Sequence, residues 1–350
     1  MSMQYRMVGN TDLKVSEIGF GCGDNAGLIV RATTAERTRG VGQAMDRGIN
    51  YFDTSPDYGK GLSEANLGRV FRALKRRPTI ATKVEIMPGD ENDLAAACVR
   101  SVEASLRRLN MDFVDVIQVH NPPHLKRNLD IPGWVHLDVE DYLGPRGCLE
   151  GLERLQREGK VRYFGFANEH AEAPAVKQLL DTRKFSLINV WYDLLNPSAG
   201  CPPIPGMRVD TDYQQLIDYA QALGCGTAVI RPLAGGTLTD NAVSGGTRHA
   251  YAGGGLSRNV ETYQQMVDQA LPMKFLSQQG QHTLAQAAVR FILMHSGVCS
   301  VLGGFSDLPQ IEEMVSCSGA GALSEQNMVQ LEMVWRSNFG QWQGRSWSAA

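Results

Sequence analysis

From Ile18 onward, short apolar runs alternate with longer amphipathic stretches, and the pair recurs eight times. Ile18-Gly19-Phe20-Gly21 opens the series, followed by helical periodicity over about Thr33–Arg47. A run from Ile49 ends at Asp53 and precedes a helix near Ser63–Leu74. Thr79 to Lys83 precedes Asn92–Leu109, where Leu94, Val99, Val102, Leu106 and Leu109 mark one helical face. Val114 to His120 leads into an irregular Pro/Gly-rich stretch, 121–148, before the helix Leu149–Glu158. Tyr163–Ala167 with 172–182, Leu187–Tyr192 with 211–223, and Thr227–Ile230 continue the pattern. A glycine-rich segment, 235–256, reads as a mobile loop and is followed by helices near 260–279 and 283–295. Ser300–Leu302 and a helix from Leu308 complete the eighth unit. Gly159 and Gly224 stand where helix stops are needed before the next strand. Unbroken alternation predicts a parallel sheet, and eight units close it into an α/β fold of the (β/α)8 TIM-barrel kind. The competing topology is an open doubly wound sheet with an extra domain. Residues 3–8 and 13–17 alternate around Gly9-Asn10-Thr11-Asp12, which predicts a β-hairpin ahead of the first unit. A closing amphipathic helix spans about 323–337. One domain over residues 1–350 accommodates all of this, with the insertion 121–148, the loop 235–256 and the tail 323–350 as additions.

Barrel geometry turns strand ends into site candidates, because the C-terminal mouth carries the chemistry in this architecture. Three successive strands finish on ionisable groups: Asp53, Lys83 and His120. The turn Thr54-Ser55-Pro56-Asp57-Tyr58-Gly59 then presents a tyrosine beyond the first of them. An aspartate closing an apolar strand is costly without a partner, and Lys83 is the partner the register offers. A free phenol titrates near pKa 10, too high for efficient proton exchange at neutral pH. An ammonium within about 4 Å favours the phenolate by up to a few kcal/mol at an effective dielectric of ~20. The expectation is therefore an acidified Tyr58, with Asp53 holding Lys83 charged and His120 sharing a hydrogen bond with the phenol or the substrate oxygen. Such a group suits hydride transfer if a cofactor supplies the hydride. No metal-ligand set and no serine paired with a base accompany it.

Phosphate commonly binds barrels in the loops after the seventh and eighth strands. Here those loops are Arg231-Pro232-Leu233-Ala234-Gly235-Gly236 and Gly303-Gly304-Phe305-Ser306-Asp307, whose glycines let backbone amides approach an anion. Gly19-Phe20-Gly21-Cys22-Gly23 is not a dinucleotide fingerprint, since it lacks the third spaced glycine and a prompt helix. A net charge of -3 gives no electrostatic case for nucleic acid or an anionic membrane. No apolar run approaches a spanning helix and no leader-like segment precedes the first strand. The seven cysteines are scattered singly, as free thiols in a reducing cytoplasm would be.

Across about residues 3–337 the chain resembles the aldo-keto reductases. The segments carrying the likeness are Ile18–Gly23, Asn50–Gly59, Ala81–Lys83, Val119–His120, Gly159–Asn168, Leu187–Asn196, Arg231–Leu238 and Val301–Met314. The resemblance implies a (β/α)8 barrel moving hydride between NADP(H) or NAD(H) and carbonyls or alcohols. It implies Asp53, Tyr58, Lys83 and His120 as the catalytic tetrad, with Tyr58 as general acid and base. It further implies that Asn168 and Asn189 hold the nicotinamide carboxamide and that Tyr192 stacks on its ring. Gly21, Cys22 and Asp53 would touch the cofactor, while Arg231, Pro232, Leu233, Gly304, Ser306, Gln310 and Glu313 would hold its phosphates and adenosine.

The chain departs from the family pattern at four places. Ala167 stands where serine is usual and Asn189 where glutamine is, which removes or shortens a carboxamide contact. Arg231 replaces a serine and would reach the pyrophosphate directly. The basic residues that grip a 2′-phosphate are missing: Gly304 and Gln310 hold those positions, Asp307 is acidic, and Met314 replaces an asparagine. The 2′-phosphate preference is left open. Trp134, His136 and Tyr142 of the insertion, the loop 235–256, and Trp335, Trp342 and Trp347 of the tail are expected over the mouth, where rings would stack on a sugar or an aromatic substrate. The expected substrate is a small polar aldehyde, ketone or sugar, resembling those of aldose dehydrogenases. Two further readings remain beside it: a Schiff-base lyase using Lys83, and a cofactor-binding, redox-sensing regulatory subunit. An oligomer is possible and nothing in the sequence indicates one.

Overall fold

A short antiparallel hairpin, β1 (Tyr5–Met7) and β2 (Lys14–Ser16), precedes the repeating units and pairs Tyr5 with Ser16. The structure is a computed structural model, which describes residues 2–128, 135–249, 260–278 and 281–341. The units then run β3 (Ile18–Gly21), α1 (Thr34–Asp46), β4 (Tyr51–Asp53), α2 (Leu62–Leu74), β5 (Thr79–Val84), α3 (Leu94–Leu109) and β6 (Val114–Val119). The insertion holds β7 (Pro123–His124), β8 (Leu137–Asp138) and α4 (Val139–Leu143), and leads to α5 (Cys148–Arg157). Next come β9 (Val161–Ala167), α6 (Ala173–Asp181), β10 (Leu187–Trp191), α7 (Leu216–Ala222) and β11 (Gly226–Ile230). A 3-10 turn at Ala234–Gly236, α8 (Asp240–Val243), α9 (Val260–Ala270), a 3-10 segment Leu271–Leu276 and α10 (Leu284–Leu293) lead to β12 (Val298–Gly304). Helices α11 (Leu308–Val315) and α12 (Glu325–Arg336) close the chain. Eight parallel strands form a closed barrel in the order β10-β11-β12-β3-β4-β5-β6-β9, as the alternation predicted.

Strand alternation sorts side chains into two cores. Tyr51, Ala81, Val116, Leu187 and Ala228 point inward and join Val8, Leu13 and Val15 of the hairpin in one buried cluster. The hairpin thus plugs the floor of the barrel. Phe52, Ile80, Ile117, Ile188 and Val229 alternate with that set and pack outward against the apolar faces of the helices. Capping fixes several helix starts: Thr33 with Glu36 at α1 and Thr283 with Gln286 at α10 form reciprocal boxes, and Asp93 caps α3.

Several expectations need correction. The helix expected over 211–223 begins only at Leu216, because Gln214 and Gln215 both take left-handed backbone (φ 47 and 57). Tyr142 does not face the mouth: it is buried, donates its hydroxyl to the Asn121 carbonyl at 2.6 Å, and meets Phe166 edge-on. Trp335 is also buried; it packs on Phe291 and donates Nε1 to the Leu194 carbonyl. Both rings carry a polar atom that finds a carbonyl inside the protein, so burial costs them little. Trp134, Trp342, Trp347 and part of the loop 235–256 lie outside the described residues. Among the described residues, no helix is long and apolar enough to cross a membrane.

Candidate active site

Two residues further along each inward-facing row, the apolar barrel interior gives way to polar groups. Asp53 ends β4, Lys83 lies on β5, Gln118 on β6 and Asn189 on β10. All four are nearly or fully buried, and they meet around one carboxylate. Lys83 Nζ donates to Asp53 Oδ1 and, at 2.8 Å, to the Thr54 carbonyl. Asp53 Oδ2 accepts from Gln118 Nε2 at 3.0 Å and from Asn189 Nδ2 at 3.1 Å. A buried carboxylate surrounded by an ammonium and two amide donors is paid for in hydrogen bonds.

Above this layer the mouth opens into a cavity of about 970 Å³. Asp53, Tyr58, Lys83 and His120 all line it, so the three strand-end candidates and the turn tyrosine do converge. The Tyr58 ring meets His120 edge-on at 6.0 Å, and Lys83 Nζ lies 5.1 Å from the Tyr58 ring centre. Burial would deprotonate Lys83, but the Asp53 carboxylate and Tyr58 overcome it and push its pKa above the ordinary lysine value. Tyr58 behaves opposite to expectation. Burial raises its pKa; the Lys83 charge and hydrogen bond pull it back, Asp53 and Glu169 oppose them, and the phenol is pushed up to about 12. The ammonium is in place, yet desolvation of the phenolate outweighs it.

The predicted cofactor residues divide. Gly21, Cys22, Asn189, Arg231, Pro232, Leu233, Gly304, Ser306, Gln310 and Glu313 line the same cavity, so the loops after β11 and β12 reach one space with the tetrad. Gly235 and Gly236 adopt positive φ and have open space where a side chain would stand, which turns bare backbone toward the cavity. Arg231 and Ala234 of that loop also sit in the left-handed region, at φ 55 and 46, a strain typical of functional turns. Asn168 is fully buried beside the wall residues Ala167 and Glu169, and neither its Nδ2 nor its Oδ1 has a partner among the described residues. Asn189 Oδ1 is unpartnered too, since only its amide nitrogen is used by Asp53. Thr283 donates to Glu313 at 2.6 Å, and Gln310 Oε1 accepts the Ser306 amide at 2.7 Å.

Two placements differ from those expected. Tyr192 falls in the outward row with Ile188 and Val190, buried on Phe291 (5.2 Å) and His295, and is not part of the cavity wall. Its neighbour Trp191 lies in the inward row with Asn189, 5.0 Å from the Arg231 guanidinium and 5.7 Å from His170. Arg231, expected to be directed at a pyrophosphate, is ion-paired with Glu169 through Nε at 2.8 Å and through its terminal nitrogen. Sequence reasoning missed Gln118, which donates to Asp53, and Glu169, which lines the cavity. The signal for Gln118 was the two-residue period back from His120. Further lining comes from Asp24, Asp57, Asp240, Arg248, His249 and Tyr263, which add carboxylates and two basic side chains to the wall.

A sequence profile described as Aldo/keto reductase family matches residues 17–336. L-galactose dehydrogenase from Arabidopsis thaliana is 25% identical over 317 residues, covering 90% of this chain and 88% of that protein. L-glyceraldehyde 3-phosphate reductase from Escherichia coli O157:H7 is 26% identical over 349 residues, covering 94% and 92%. Among solved structures, an aldo-keto reductase from Klebsiella pneumoniae in complex with NADPH has a similar fold, with a TM-score of 0.65 at 20% identity over 96% of each chain.

Proposed function

Because the chain belongs to the aldo/keto reductase family, we propose that it moves a hydride between a nicotinamide cofactor and a small polar carbonyl or its alcohol, with Tyr58 as the proton donor and acceptor. The observation that carries this reading is the convergence of Tyr58, Lys83 and His120 on one cavity with the loops after β11 and β12. The residues present fit a nicotinamide. Among the described residues, Asn168 offers a buried donor and acceptor without partners, and Asn189 an acceptor without one, which together match a carboxamide. The backbone of Arg231–Leu233 and Gly235–Gly236 suits phosphate, while Gly304, Ser306, Gln310 and Glu313 suit the adenosine half. When bound, NADP(H) or NAD(H) supplies or takes up the hydride.

The chain's own residues handle the proton. With its pKa near 12, Tyr58 is a phenol at neutral pH and donates its proton to the oxygen of a carbonyl as the carbon is reduced. The Lys83 ammonium stabilises the phenolate left behind, and Asp53 holds that ammonium in place. His120 offers the substrate oxygen a second hydrogen-bond partner. In the reverse direction the phenolate accepts the alcohol proton. A raised, carboxylate-bound lysine is a poor amine nucleophile, which argues against the Schiff-base reading. A wall with Asp24, Asp57, Glu169 and His170 suits a hydroxylated neutral substrate, an aldose or small hydroxyaldehyde, over an apolar one. Seven thiols, none in a disulfide, suit a reducing cytoplasm.

Fluorescence titration with NADH and NADPH, followed by a screen of aldoses and simple aldehydes, tests the proposal. Turnover of a polar carbonyl that Tyr58→Phe abolishes is the expected result. Turnover of steroids alone would refute the substrate class. Tight cofactor binding without turnover of any carbonyl would favour a regulatory subunit.

A further inference from the structure

The loop after β9 and the loop after β11 meet at the cavity wall through one ion pair. Arg231 Nε, at 2.8 Å, and its terminal Nη2 both donate to a single oxygen of Glu169, Oε1. Both residues line the cavity, Glu169 with its side chain 34% exposed and Arg231 with 12%. Among the described residues, Glu169 Oε2 and Arg231 Nη1 make no hydrogen bond, so the pair keeps one acceptor and one donor in reserve. The guanidinium is held from a second side. It lies 5.0 Å from the Trp191 ring centre, and Trp191 Nε1 donates to the buried Asp193 at 2.7 Å, which fixes the ring. His170, next to Glu169, takes left-handed backbone (φ 61), as Arg231 does, so both loops hold strained turns here. The Glu169 charge is one of those that raise the Tyr58 pKa, which puts the pair within electrostatic reach of the proton donor.

We propose that Glu169 and Arg231 form a vicinal-diol subsite: Glu169 Oε2 accepts the proton of one hydroxyl while Arg231 Nη1 donates to the oxygen of the next. This deepens, and rests on, the reading of the mouth as a reductase of small polar carbonyls. Neighbouring hydroxyls present a donor and an acceptor side by side, and the open edge of an ion pair presents the complement. The two charges of the pair offset each other, so it favours neutral hydroxylated groups over a phosphate or a carboxylate. The Arg231 side chain is thereby assigned to hydroxyls, and the anion is left to the backbone of its loop. A guanidinium already held by a carboxylate and a ring has little freedom left to lose when a ligand arrives. Two ligands bring such a diol into this mouth: the hydroxylated tail of a sugar-like aldehyde, and the ribose that carries the nicotinamide. Their chemistry at the pair is the same, and the test separates them.

The test compares ligands that differ only in the diol, in wild type, Glu169→Met and Arg231→Met. Kinetics give kcat/KM for glyceraldehyde against propanal. Fluorescence titration gives Kd for NADH against its analogue lacking both hydroxyls of the nicotinamide ribose. Each comparison is read as a ratio, so a general weakening of the site cancels. A substrate diol predicts that the preference for glyceraldehyde over propanal falls about 10-fold or more in both variants, the loss expected for hydrogen bonds to charged groups, while the cofactor ratio holds. A ribose diol predicts the converse, with the preference for NADH over its analogue falling by that factor and the aldehyde ratio holding. Either pattern supports the subsite and identifies its occupant. Two unchanged ratios in the folded variants overturn it, and so does an equal weakening of all four ligands, which a merely structural bridge would give. Should one variant fail to fold, the other decides. A wild type that turns over no carbonyl removes the reductase reading, and the cofactor ratio alone then upholds or overturns the subsite.

Discussion

Among single residues, the contest between burial and charge decides most of what the site can do. Tyr58 was expected to be acidified by Lys83, and the ammonium is where the strand register put it, but the cost of desolvating a phenolate is larger. A sequence shows which charges can meet; it does not show how much water they exclude. The same asymmetry governs Tyr51, whose ring fills the barrel interior while its hydroxyl is buried without a partner among the described residues. Tyr51→Phe is therefore expected to leave stability unchanged or raise it by up to ~1 kcal/mol, because an unsatisfied group is removed and no contact is lost. Urea denaturation measures this, and a loss of stability would mean the hydroxyl has a partner. Asp53, Lys83 and His120 were legible because a charge at the end of an apolar run is conspicuous. Glu85 and Gln118 were not singled out, since a lone polar residue in such a run reads as an ordinary interruption. Tyr192, expected to stack on the nicotinamide, falls in the outward row and is buried on Phe291, because the two-residue period sends neighbouring side chains of a strand to opposite faces.

Among elements, long periodic helices and apolar strands were read to within a few residues, because burial imposes their period. The short pieces were not. Strands β7 and β8 have two residues each, too few to show any alternation, and they place His124 and His136 face to face with ring centres 4.0 Å apart. Burial, together with the neighbouring His136, lowers the His124 pKa to about 4 from its ordinary 6.5. The unfolded chain thus takes up this proton first, so the contribution is absent above about pH 6.5 and stability declines as the pH falls toward 4. His124→Phe, which keeps the stacked ring and removes the titrating group, is expected to flatten the fall in Tm between pH 7 and 5. Equal slopes for the two proteins would contradict it. The hairpin supplies a second element-scale test. Leu13 is buried in the floor of the barrel, and Leu13→Ala should cost ~2–5 kcal/mol in denaturant unfolding while sparing the mouth. A matching loss of cofactor affinity in the folded variant would show that floor and mouth are not independent.

At the scale of the whole molecule, one closed sheet separates two tasks. The hairpin and the inner apolar cluster stabilise one end. The other end carries two polar layers, Asp53 with Lys83, Gln118 and Asn189, and then Ser55 with Glu85 and His120, open to the cavity that the loops after β11 and β12 also line. The count of eight units made this division legible from the sequence. The identity of the substrate was not, since the expected aromatic cover is partly buried in the core and the wall is built from loop residues that no periodicity marks. The central claim is that this mouth reduces a carbonyl with a protonated Tyr58. The most direct measurement is kcat/KM against pH for carbonyl reduction and for oxidation of the product alcohol, in wild type and Tyr58→Phe. A phenol titrating at about 12 predicts reduction that does not decline through neutral pH for want of a proton on Tyr58, oxidation that climbs as the pH rises, and a loss of ~100-fold or more of both in the Phe variant with cofactor titration unchanged. Oxidation independent of pH, or a Phe variant that keeps wild-type rates, would contradict the account.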